Sequence, residues 1–134
     1  MTDPEKTRWV RYAADCAEQV VDLAGMWRPE AWTAIRAARG WADYPTPERA
    51  LDAITAAFRA EYVDTSATPY AVDYVLRAAA SVARAAVASN AAPLAGYAAD
   101  YSVRAVVASG NGSAVESVRA WQAERRQHYG LEGR

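Results

Sequence analysis

Near the N-terminus, the apolar residues Trp9, Ala13, Cys16, Val20, Leu23 and Trp27 are spaced alternately four and three residues apart. That interval keeps them on one face of a helix, with Arg8, Arg11, Asp15, Glu18 and Asp22 on its other sides. Leu51, Ile54, Phe58 and Tyr62 repeat the pattern, and Val72, Val75, Ala79, Val82 and Ala86 repeat it with smaller side chains. Each stripe is expected to face a core. The stretches around 69–89 and 93–109 are apolar on more than one face, so one of them is expected to run through the centre.

Punctuation between the stripes sets the helix ends. Asp3-Pro4, Thr46-Pro47 and Thr68-Pro69 each place a capping residue before a proline, where the missing N–H costs nothing. Ser113 and Glu116 have the spacing of a capping box, and Gly25 and Gly130 stand where left-handed C-terminal caps are wanted. "SGNGS" at 109–113 contains an Asn-Gly pair, but the flanking segments do not alternate, so it reads as an interhelical loop. Together these predict six helices at about 4–24, 29–42, 47–62, 69–89, 93–109 and 114–128. The fold expected is all-α, a single-domain bundle of about six helices joined by short loops over residues 1–134.

Composition strengthens the helical reading. Of the 134 residues 33 are alanine, the best helix former, and alanine faces let helices approach closely. The large aromatics Trp9, Trp27, Trp32, Trp41, Phe58 and Trp121 are then expected to fill the wider gaps. Fourteen of the 15 basic residues are arginine, which together with the alanines suggests a GC-rich bacterial or phage genome. Net charge is −1 with both signs spread along the chain, which gives no general attraction to nucleic acid or anionic membrane. Neither a membrane-spanning stretch nor a signal-like N-terminus is read, so the expected location is cytoplasmic.

Candidate chemistry is sparse. Cys16 is the only cysteine and His128 the only histidine, so zinc-type ligation has no cluster to use, and no cofactor is implied. Cys16 lies on the apolar stripe and is expected to pack as a small, inert hydrophobe. Asp15, Glu18 and Asp22 share one side of their helix; they read as a solvated face, with Arg11 and Asp15 in an i,i+4 ion pair. Asp73 and Asp100, among alanines and tyrosines, are the nearest approach to tuned carboxyls. Asp100 is expected to be neutralised by Arg77, Arg84 or Arg104. Two basic clusters, Arg28-Arg36-Arg39 and Arg119-Arg125-Arg126, offer a nucleic-acid reading, but Glu116 and Glu124 interrupt the second. An enzyme is not expected.

Three segments in order carry a family likeness: "RWVRYAADCAEQVVDLA" at 8–24, "RPEAWTAIRAARGWA" at 28–42 and "VRAWQAERR" at 118–126. They resemble the opening, second and closing helices of small Ala-rich immunity proteins associated with bacterial polymorphic toxin systems. Family members often carry histidines in their central helices. The matching stretch here, "AAASVARAAVASNAAPLAGYAADY", has none, so no role of those histidines transfers. The resemblance implies a stoichiometric, non-catalytic inhibitor whose partner is a protein, either a toxin or, for a phage-borne protein, a bacterial defence effector. Such inhibitors use charge and a few aromatic or arginine anchors. On that logic the candidate contact residues are Arg36, Arg39, Trp41 and Tyr44, with core packing of Trp41 equally open. The alternative is a small nucleic-acid-binding or regulatory helical module using the arginine clusters.

Overall fold

A computed structural model describes residues 3–131. The chain forms α1 (Asp3–Glu18), a 3-10 segment (Val21–Trp27), α2 (Arg28–Asp43), α3 (Pro47–Glu61), α4 (Tyr70–Val87), α5 (Ala92–Ala108), a short 3-10 turn (Gly112–Ala114) and α6 (Val115–His128). The described residues contain no strand, and no helix among them is long and apolar enough to cross a membrane. All six helices belong to one domain, arranged around α4.

α4 takes the centre because it is apolar over most of its surface, and only the side carrying Tyr70, Asp73, Arg77, Arg84 and Val87 reaches solvent. Val72, Val75, Leu76, Val82 and the alanines between Ala78 and Ala86 are all buried, and the helix touches α1, α2, α3, α5 and the 3-10 segment. Its one buried hydroxyl, Ser81, donates to the Arg77 carbonyl at 2.9 Å, so no polar atom of that side chain is stranded. Around α4 the core is filled by Val10, Ile35, Leu131 and many alanines, with Trp9, Tyr12 and Trp41 as its large buried rings. Trp27, Trp32 and Trp121 are partly buried at its edge. Phe58, expected with them, is outside.

The first helix is shorter than its stripe. α1 ends at Glu18, and Val20 adopts φ −112°, ψ 4° before the 3-10 segment begins. Two adjacent β-branched residues, Val20 and Val21, weaken the helix here, and Gly25 takes φ 58°, ψ −126°, a backbone that a Cβ would strain. The tighter winding still buries Val20, Val21 and Ala24, so the apolar face survives the change of helix type.

Some of the expected caps form and others do not. Thr46 accepts from the Arg49 N–H at 3.2 Å, and Pro47 follows it in the first turn. Gly130, at φ 71°, closes α6: its own N–H bonds Gln127 and that of Leu131 bonds the Arg126 carbonyl at 2.9 Å. α4, by contrast, starts one residue late, at Tyr70, because the Thr68 hydroxyl donates to the Thr65 carbonyl and closes a loop turn instead. The Ser113-Glu116 capping box is not made. The 3-10 turn Gly112–Ala114 puts Ala114 at the cap of α6, and Ser113 turns to Asn111. A capping role for the Asp3 side chain lies outside the described residues.

Candidate functional site

α3 has two apolar faces, and the fold buries the one with the smaller side chains. Ala53, Ala56, Ala57 and Ala60 are buried where α3 packs on α2 and α4. Small side chains allow that close approach, and Leu51, Phe58 and Tyr62 consequently face out, 64, 42 and 83% exposed. This reverses the expectation that Leu51, Phe58 and Tyr62 point inward; of that stripe only Ile54 is partly buried.

The outward face is built rather than loose. The rings of Phe58 and Tyr62 stack with centroids 6.1 Å apart, and the Arg84 guanidinium lies 5.2 Å from the Phe58 centroid. Arg84 is itself held by both carboxylate oxygens of Glu61, the Nη2–Oε2 bond being 2.7 Å. Beside the rings an open groove of about 540 Å³ runs between Trp27, Phe58, Tyr62 and Val63, rimmed by Glu30, Arg59 and Asp64. Met26, next in the chain to Trp27, is 79% exposed. A contiguous exposed patch of aromatic and aliphatic side chains with a charged rim is the usual makeup of a protein-contact surface.

The four residues proposed from sequence are placed differently from one another. Trp41 is buried, with the Lys6 ammonium 4.6 Å from its ring centroid. Arg39 donates to Glu18 at 2.6 Å and to Asp15 at 2.7 Å. Arg36 is exposed and shares the Trp32 ring with Arg28, at 5.1 and 5.6 Å. Tyr44 is exposed, with the Arg49 guanidinium 5.8 Å from its ring. Only Arg36 and Tyr44 therefore remain as surface candidates.

In the acidic line of the first helix Glu18 and Asp22 are exposed, as a solvated face requires, but Asp15 is a structural hub. Asp15 Oδ1 accepts from Arg39, and Oδ2 accepts from Arg125 Nη2 at 2.6 Å and from the Tyr129 hydroxyl at 2.7 Å. Burial alone would raise this carboxyl, but the hydrogen bonds from Arg125, Tyr129 and Arg39 outweigh it and hold Asp15 below the ordinary aspartate value. Arg11 pairs with Asp43 at 2.9 Å, not with Asp15, and Asp22 pairs with Arg28 at 2.6 Å. Asp100 meets Arg119 at 3.0 Å in place of the three arginines expected for it, and Asp73 is held by Arg77 and Thr65. The clustered arginines Arg28, Arg39, Arg119 and Arg125 thus all face carboxylates.

Cys16 is fully buried, and its thiol is pushed up to about 12, chiefly by burial, with the neighbouring Asp15 charge adding to it. His128 sits against Tyr129 at the C-terminal end of α6, on the surface. No group of three or more His, Cys, Asp or Glu among the described residues is arranged to hold a metal ion. Neither a family model, a curated protein nor a solved structure matches the chain.

The residues missed from sequence are those of the outward α3 face. The signal was present: Ala53, Ala56, Ala57 and Ala60 form a second helical stripe opposite the larger one. Choosing between the stripes required knowing that α4, the surface they meet, is itself lined with alanines.

Proposed function

We propose that the chain is a non-catalytic inhibitor that binds a protein partner one-to-one through the outward face of α3, in the manner of the immunity proteins it resembles. The partner is a toxin or, for a phage-borne protein, a defence effector, and the setting is the bacterial cytoplasm. The observation that carries the reading is the inverted packing of α3. Exposing Leu51, Phe58 and Tyr62 while burying alanines gives up apolar burial that the fold alone would favour. A face built that way is accounted for if another protein covers it, with Phe58 and Tyr62 as aromatic anchors. The nucleic-acid alternative has weaker support, because four of the six clustered arginines it needs, Arg28, Arg39, Arg119 and Arg125, already face carboxylates.

The test is to purify any toxin-like product found encoded beside this chain, mix the two, and measure the complex by sedimentation. A one-to-one complex lost on Phe58→Glu is expected, together with loss of protection in cells. A neighbouring toxin that forms no complex counts against the reading.

A further inference from the structure

The outward face of α3 is complementary to itself. Asp52 and Arg59 flank the apolar stripe on the same side, seven residues or about two turns apart. Both are exposed, and neither forms an ion pair among the described residues. Leu51 projects at one end of the stripe, and the groove lined by Trp27, Phe58, Tyr62 and Val63 opens at the other. The face therefore carries a knob and a hole, and a negative and a positive charge, each pair set along the same helix.

We infer that in the absence of a target this face is covered by a second copy of the chain, with the two α3 helices antiparallel about a two-fold axis. A two-fold contact requires that every feature find its complement on the same patch of the other subunit. The midpoint between Asp52 and Arg59 and the midpoint between Leu51 and Tyr62 fall within about one residue, roughly 1.5 Å, of each other along α3. One axis crossing the helix at the level of Thr55 and Ala56 therefore satisfies both pairs. Asp52 of each copy meets Arg59 of the other, and Leu51 of each enters the groove beside the other's Tyr62. A parallel two-fold arrangement would carry the Asp52–Arg59 flanks of the two copies to opposite edges of the contact, where neither charge meets its complement.

Self-association stands on this geometry alone; that it competes with a target rests on the reading of α3 under Proposed function. The resting dimer then masks the contact face, and a target displaces one copy.

Sedimentation of the purified full chain from about 1 μM to about 1 mM tests the inference. Concentration-dependent dimerisation is expected, and it should disappear in Phe58→Glu. Asp52→Arg and Arg59→Asp should each weaken association on the order of tenfold, because each reversal turns two attractions into two repulsions. An equimolar mixture of the two reversed proteins should regain it, since a mixed dimer restores opposite charges at both places. Circular dichroism confirms that the variants fold, as all three positions are exposed. A chain that stays monomeric throughout, a dimer indifferent to Phe58→Glu, or a mixture no better than its components overturns the inference. A monomer whose toxin complex is lost on Phe58→Glu rejects the dimer and leaves the inhibitor reading standing. A dimer that binds no toxin does the reverse.

Discussion

α3 and α6 are both outer helices, and they are held to the bundle by opposite means. α3 is attached by alanines and leaves its large apolar side chains in solvent. On α6 only Gln122 is buried, its amide donating to the Ala99 carbonyl at 3.0 Å, while Arg119 reaches Asp100 and Arg125 reaches Asp15. Just beyond its end, Tyr129 joins Asp15 and Leu131 is wholly buried. The lesson is about where to look for function. Arginines of α6 that suggest a binding cluster are engaged by the fold, whereas apolar residues of α3 that suggest a core are left over from it.

The sharpest way to break the contrast is at Asp15. Asp15→Ala leaves Arg39, Arg125 and Tyr129 without their common acceptor. A loss of about 2–4 kcal/mol is expected, at the lower part of the range for buried pairs because both arginines are partly exposed. Urea denaturation measures it. The same hub predicts an acid response of definite sign. Because Asp15 is held below its unfolded value near 3.8, its contribution is complete above that pH and is lost as the pH falls through the lowered folded value. Amide exchange should then show α6 loosening before α3 under acid. Asp15→Asn should remove that order, and equal loosening in the wild type would contradict the hub.

The next largest effect belongs to the inward face of α3. Ala57→Leu forces a larger side chain between α3 and its neighbours and should cost about 1–3 kcal/mol. A tolerated Ala57→Leu would mean that the interface has room, removing the packing reason for turning Leu51, Phe58 and Tyr62 outward.

Which features could be read in advance follows from the range of the interactions that make them. Local signals sufficed for the helices: Thr46 before Pro47, Gly130 closing α6, and the stripe that buries Trp9, Cys16 and Val20. The break after Glu18 depended on a modest β-branched penalty combined with one glycine, too small a local preference to outweigh a continuous apolar stripe. The partners of Asp15 were beyond reach, because Arg125 and Tyr129 lie 110 and 114 positions away. Arg11, one turn before Asp15, was the only pairing that spacing could suggest. In α3 two stripes competed, and side-chain size favoured the wrong one until the alanine surface of α4 was known.

Cys16 is a smaller test of the same division between local and distant information. Cys16→Ala removes one buried sulfur and should cost about 1 kcal/mol, with target binding unchanged. With its thiol pushed up to about 12, native protein at pH 8 should resist alkylation that proceeds once it is unfolded. Rapid labelling of the folded chain would place Cys16 on the surface and undo the reading of α1.

The smallest effect on stability is expected where the largest effect on function is. Leu51→Ser and Tyr62→Ser remove side chains that are mostly in solvent, so each should change stability by no more than about 0.5 kcal/mol. Each should nevertheless weaken association through α3, whether with a second copy or with a target. That separation distinguishes a face kept for binding from one that is merely badly packed. If Leu51→Ser and Tyr62→Ser leave both stability and association untouched, the outward stripe is an idle consequence of packing alanine against alanine. If they lower stability by as much as Ala57→Leu, the face belongs to the core after all, and α3 and α6 are held by more similar means than their side chains suggest.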